Sequence, residues 1–220
     1  MTLRSFNRRL LATGWGGLLL VVLLAGVFMS FASRTFLSPF NLYVLTRDVS
    51  TTLLIGLSQM IVLAVGQMNL SLGSIGGLTV VISGGLMVVG HWPVWAAVAA
   101  GLMVGVLAGF LNGVLVVRTG INSFIVTIAT SSLYLGLNLG MTQAQPFYNL
   151  PKAIADFGQA RIGFVPSMAA VTVPAAILMA VFLHRMVLGR QILAAGGNWN
   201  AAQTAGVPVN RAVILAHVIS

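Results

Sequence analysis

The sequence predicts an all-α, polytopic transmembrane helical bundle of about six spans plus the start of a seventh, with the N-terminus cytoplasmic. Three observations predict it. The 220-residue chain is 58% hydrophobic and 6% charged, with a mean hydropathy of +1.02, so two acids and eleven bases cannot cover a water-facing surface of this size. Its apolar residues fall into runs of roughly 20, enough for a helix to cross ~30 Å of hydrocarbon. Its bases flank those runs instead of clustering on one face, so the net charge of +9 is a topology signal. It does not mark a nucleic-acid partner.

The first run, Leu11 to Ala32, follows Arg4, Arg8 and Arg9. Ser30-Phe31-Ala32 has the small-x-small form of a cleavage site, but the run exceeds the ~7–15 residues of a signal h-region and reads as a retained helix. Arg34 to Arg47, with Pro39 and Asn41, reads as an outer loop. The second span covers Val49 to Val65, and the third Leu72 to Val89. Between them the stretch Gly66 to Ser74, GQMNLSLGS, breaks the apolar run. After the His91-Trp92-Pro93 turn come the fourth span, Val94 to Val117, and the fifth, Ser123 to Met141. A long polar loop, Thr142 to Pro166, precedes the sixth, Ser167 to His184. Only nine apolar-run residues remain from Ala212 to Ser220, roughly 14 Å of helix, so the sequence reads as truncated at its C-terminus.

With the N-terminus inside, seven bases are inner (Arg4, Arg8, Arg9, Arg118, Arg185, Arg190, Arg211) and four are outer (Arg34, Arg47, Lys152, Arg161). This is the favoured sense. Trp92 and Trp95 then fall in the outer aromatic belt and Trp15 near the inner one. Gly189 to Arg211 becomes a cytoplasmic element between spans. There Gly196-Gly197 interrupts the chain, Asn198 is placed to cap a short helix from Trp199 to Ala205, Gly206 offers a left-handed stop, and Pro208 prevents continuation. Asn210 is expected to cap the next run. On pattern alone the element is either a structural hairpin or a docking surface.

Within the spans, Gly101, Gly105, Gly109 and Gly113 recur every four residues and form a groove for close helix approach. Gly136 with Gly140, and Gly73 with Gly77, repeat the device. The break at Gly66 to Ser74 reads either as a tight inner turn or as irregular backbone at depth, tolerated where protein or a watery cavity satisfies it. Gln59, Asn69, Ser71, Asn112, Thr127 and Asn138, with Thr130 and Ser131, supply uncharged hydrogen-bonding groups. They suit either helix–helix glue or a path for a neutral, hydroxyl-rich solute. No acid or base lies well inside a span, which excludes a carboxylate proton relay and a voltage sensor. Catalysis has no support either. His91, His184 and His217 sit near span ends without metal-ligand spacing, no serine has a base partner, and the absence of cysteine removes thiol chemistry. On the outer side, Arg47 of the first loop and Lys152 and Arg161 of the long one are bases able to pair with carboxylates on an external partner, or simply solvated charges.

Three blocks, GQMNLSLGSIGG (Gly66 to Gly77), GFLNGVLVVRTGINSFIVTIAT (Gly109 to Thr130) and LGRQILAAGGNWNAAQTAGVPVNR (Leu188 to Arg211), resemble in order and spacing the membrane-spanning permease subunits of bacterial ABC importers of the ribose, xylose and arabinose type. The resemblance implies a multi-pass subunit of the bacterial inner membrane that pairs with a second permease copy, receives sugar from a periplasmic binding protein and is driven by cytoplasmic ATPase subunits. ATP would be bound by those partners and no cofactor by this chain. Residues 189–211 would be the coupling loop, carried by Gly189, Arg190, Gly196, Gly197, Asn198, Trp199, Ala201, Ala202 and Gly206. Two departures stand out: Asn69 where the family commonly has Asp, and Trp199-Asn200 where it has acidic residues. A secondary carrier of neutral solutes and a non-transporting membrane anchor are the competing readings.

Overall fold

The structure, a computed structural model, describes residues 14–163 and 165–220. The expected first helix is there as α1 (Gly14–Ala32); its basic leader, and the side chain of Trp15, lie outside the described residues. Then follow α2 (Pro39–Ala64), α3 (Leu72–Val88), α4 (Val94–Thr119), α5 (Ser123–Thr142), α6 (Lys152–Gln159), the hairpin strands β1 (Arg161–Ile162) and β2 (Val165–Pro166), α7 (Ser167–Arg185), α8 (Val187–Gly197), α9 (Trp199–Thr204) and α10 (Val209–Ile219). By length and composition α4, α5 and α7 are long and apolar enough to cross a membrane. The all-α, membrane-embedded class is therefore correct.

Three boundaries differ from expectation, each for a local reason. Helix α2 begins ten residues before Val49, because Ser38 caps it by accepting the Asn41 amide (3.3 Å) and Pro39 fits the first helical position, where no amide hydrogen is needed. Its 26 residues rise ~39 Å, so Arg47 and Asp48 ride on a helix and not a loop. The long outer loop contains α6, started by Pro151-Lys152, and the hairpin, in which Arg161 pairs with Pro166 and Ile162 with Val165. At the inner end, α10 starts at Val209 with Pro208 in the cap position. Asn210 is thus inside the helix and caps nothing.

Most of α1 is exposed: Leu18, Val21, Leu23 and Phe28 each keep about 60% or more of their surface. Such an apolar helix needs lipid. Helix α4 packs against α3, α5 and α10, while α2 packs against α7 and α8 against α7 and α10. The glycine row of α4 divides the work: Gly101 and Gly105 face α3 through Ser83 and Thr79, while Gly109 and Gly113 face α10 through His217 and Ile214. A methyl at Gly113 would lie 2.7 Å from the Ile214 Cα. Gly136 and Gly140 on α5 meet nothing. Gly113→Ala is accordingly expected to destabilise by ~1–3 kcal/mol through overpacking, and Gly136→Ala by nothing measurable, in thermal unfolding of the purified protein in detergent.

The larger buried cluster joins Ile61, Val62 and Val65 of the α2 end to Val116, Leu183, Ile192, Ala195, Ala202, Val213 and Ala216. It ties α8 and α9 into the bundle. A second cluster, Leu78, Ala108 and Tyr134, holds α3, α4 and α5 together.

Candidate functional site

Two sites emerge, one at the break before α3 and one at the inner connection α8–α9. Helix α2 stops as Gly66 turns left-handed (φ +78°), a conformation that glycine adopts without penalty. The following backbone is irregular until Leu72. It does not form a tight turn, because Ser71 lies level with Asn112, seven residues or ~10 Å before the end of α4. Three amides of this ascent are satisfied from α5 or from within. The Met68 amide donates to Ser123 Oγ (2.9 Å) and the Leu70 amide to Thr127 Oγ1 (3.1 Å). The Ser71 amide (3.0 Å) and its hydroxyl (2.7 Å) both donate to Asn69 Oδ1. Irregular backbone survives at depth on such terms.

The side chains then form one connected network. Asn112 Nδ2 donates to Ser71 Oγ (2.7 Å), and the Tyr134 hydroxyl donates to Asn112 Oδ1 (3.2 Å) or the Ala108 carbonyl (3.1 Å). Asn69 Nδ2 donates to Ser220 Oγ (3.0 Å). One turn outward, Ser74 and Ser131 share a hydroxyl bond (3.0 Å) and Asn138 Nδ2 donates to the Ser74 carbonyl (3.1 Å), entering α3 at Gly77. Asn69, Ser71, Asn112, Thr127, Thr130 and Asn138 are all buried. The structure thus brings together five of the six residues singled out as a path and leaves Gln59 apart on α2, its buried Oε1 without a partner. Sequence reasoning missed Tyr134, which reads as one more aromatic in an apolar run, and Ser123, which reads as an ordinary helix start. His217, expected near a span end, is instead buried with Nδ1 against the Val213 carbonyl (3.0 Å).

Around Asn69 three groups are able to donate: the Ser71 amide, the Ser71 hydroxyl and, by rotating its proton, the Ser220 hydroxyl. They surround the N-terminus of α3, where the helix dipole favours negative charge. Asn69→Asp is therefore expected to fold and keep its stability within ~1 kcal/mol, whereas Asn69→Ala, which orphans the Ser71 donors, costs ~1–3 kcal/mol. Thermal unfolding of the two variants distinguishes them.

At the inner end, α7 breaks at Met186, whose backbone is extended, and α8 folds back so closely that a methyl at Gly189 would overlap the Phe182 carbonyl. Gly196 makes the second close approach. Any Cβ there would overlap the Ala64 carbonyl, and Gly66 Cα-side space opens directly onto Gly196 Cα. Gly197 meets nothing. Asn198 caps α9 by accepting the Ala201 amide (3.0 Å), and Gly206 closes it left-handed (φ +81°), both as the sequence indicates. Ala202 is buried, while Arg190, Ala201 and Trp199 are exposed. Trp199 lines a cavity of about 750 Å³ whose other walls include Gly66, Gln67, Met68, Asn122, Ser123 and Asn210. The inner element and the break before α3 therefore share one wall.

At the opposite end of the bundle Arg161 places its guanidinium 5.2 Å from the Tyr43 ring centroid, and Tyr43 lies one helical turn from Arg47 on α2. Lys152 is exposed at the start of α6.

Residues 41–220 match the family model described as the permease component of the branched-chain amino acid transport system. The chain belongs to this permease family. It is 30% identical over 217 residues to the D-allose transport system permease protein AlsC of Escherichia coli strain K12, covering 99% of this chain and 67% of that one. It is 30% identical over 203 residues to the L-arabinose ABC transporter permease protein AraH of Azospirillum brasilense (92% and 60%). It is 31% identical over 196 residues to the ribose import permease protein RbsC of Bacillus subtilis strain 168 (88% and 61%). The permease-family chain thus spans about 60 to 67% of the length of these relatives. No solved structure matches it.

Proposed function

We propose that this chain is the membrane-spanning part of an ATP-driven importer for a pentose or a similar neutral sugar. It crosses the bacterial inner membrane about six times and begins a seventh crossing, N-terminus inside, and pairs with a second permease subunit. Cytoplasmic ATPase subunits, which bind the ATP, dock on residues 189–211, and a periplasmic sugar-binding protein docks on the outer face through Arg47, Lys152 and Arg161. The observation that carries the reading is the seat of Gly196 on the Ala64 carbonyl, beside Gly66. A push on α8–α9 from a partner below has no slack there and moves the end of α2 and the break that follows it.

The family description names amino acids while the relatives compared above are named for sugars, and the chemistry of the network favours sugars. An amino acid brings a carboxylate and an ammonium, yet Asn69, Ser71, Asn112, Thr127 and Asn138 are all uncharged, and the Ser71 amide at the head of α3 is already taken by Asn69. Amides and hydroxyls match a polyol. Uptake of radiolabelled ribose, arabinose, allose and leucine into vesicles holding the full-length protein, with and without its ATPase and ATP, tests the reading. Sugar uptake only with ATP supports it. Equal uptake without the ATPase makes the protein a facilitator, and uptake of leucine alone overturns the sugar assignment.

A further inference from the structure

The seam between α3 and α5 carries three polar contacts near the start of α3: the Leu70 amide to Thr127, Ser74 to Ser131, and Asn138 to the Ser74 carbonyl. Within it Asn138 Oδ1 is buried without a hydrogen-bond partner, an acceptor with nothing to accept. At its far end the seam opens into a cavity of about 800 Å³ with a mostly apolar lining, Met87, Val98, Leu102 and Leu139 among it, in which Thr79, Ser83, Thr142 and Gln145 are the polar groups. One aromatic ring from the outer loop stands in that opening. Phe147 lies on α3 where two successive glycines leave a notch: a Cβ built at Gly84 would be 3.2 Å from its Cδ2, and one at Gly85 3.3 Å from its Cζ. The chain around the ring is strained to place it. Gln143, Ala144 and Asn149 are left-handed (φ +50°, +58° and +61°), a conformation that non-glycine residues keep where their surroundings hold it.

We propose that Phe147 is an outer latch: seated in the Gly84–Gly85 notch it holds the α3–α5 seam closed on the outside, and its withdrawal admits a neutral hydroxylated solute to the buried acceptor on Asn138. The strain in the loop favours release, and the ring's contact with the notch opposes it, so the two states are close in free energy. The proposal rests on the importer reading.

These 220 residues contain no cysteine, so in a full-length background with any other cysteine replaced Phe147→Cys with Gly84→Cys creates a single pair, and loss of the ring gives the new Cβ at position 84 its room. The pair is bridged in the full-length protein, with its ATPase in vesicles, by a short bis-methanethiosulfonate reagent. Bridging is expected to cut ATP-driven sugar uptake at least tenfold, and dithiothreitol to restore it. Full uptake after complete bridging overturns the latch. Failure of the wild-type protein to show ATP-driven uptake strikes the importer reading instead. Should the double variant be inactive before bridging, Phe147→Ala decides. Vesicles preloaded with sugar are expected to leak several-fold faster without ATP, and an unchanged leak rate overturns the proposal.

Discussion

Replacing Gly196 with alanine is expected to lower ATP-driven sugar uptake by roughly tenfold or more, while the same change at Gly197 leaves it within about twofold. The two neighbours look alike in sequence and differ wholly in space. A methyl at Gly196 would sit 2.8 Å from the Ala64 carbonyl carbon and 3.1 Å from the Val65 Cα. These are backbone atoms and cannot swing aside as a flexible side chain would. The helix must move off α2 instead, at a cost of ~1–3 kcal/mol, and the contact through which a push on α9 reaches Gly66 is lost. Gly197 is the last residue of α8 with open space around it. Alanine there removes only backbone freedom from the unfolded chain, which is neutral or stabilising by ~0.4–1 kcal/mol. Parallel vesicle uptake, with ATP hydrolysis measured on the same samples, checks the pair. Equal uptake by both variants would remove the α8–α2 contact from the coupling route.

That contrast shows where the sequence stops being legible. Local grammar is carried by adjacent residues, so the Asn198 cap, the α9 helix and the left-handed Gly206 follow from composition alone. Period-four glycines on α4 likewise announce a groove. What fills a groove is a long-range fact: α3 takes its outer half and α10 its inner half, and nothing at Gly101 or Gly109 distinguishes them. The polar residues of the spans were visible as a set because amides are conspicuous in apolar runs. Their arrangement was not, since whether GQMNLSLGS is a turn or an ascent into the bundle depends on Ser123 and Thr127, some 55 residues away. The early start of α2 is written in Ser38-Pro39, a cap followed by a first-turn proline, and a helix longer than the hydrocarbon carries the charges at Arg47 and Asp48 without difficulty. Helix α6 has eight residues, too few for a period to be read.

Asn112→Leu is the second large effect, with an expected loss of ~2–4 kcal/mol in thermal unfolding and loss of uptake. Asn112 is fully buried and touches both the break and α5, donating to Ser71 and accepting from Tyr134. Leucine orphans one lone pair on Ser71 and forces a branched carbon against the irregular backbone that Asn112 supports. Tyr134→Phe removes the other end of the same bond and costs far less, below ~1 kcal/mol. The Ala108 carbonyl to which its hydroxyl also donates keeps its own helical partner, and intramembrane hydrogen bonds average only ~0.6 kcal/mol. Since the two side chains share a bond, their effects are not additive, and the double variant is expected to be more stable than the sum of the two losses by ~0.5–1.5 kcal/mol. Full additivity would mean that the Asn112–Tyr134 bond contributes nothing and that the cost of Asn112→Leu comes from packing alone. In that case the break before α3 is held by Ser123 and Thr127, and Ser123→Ala with Thr127→Val becomes the substitution that releases it.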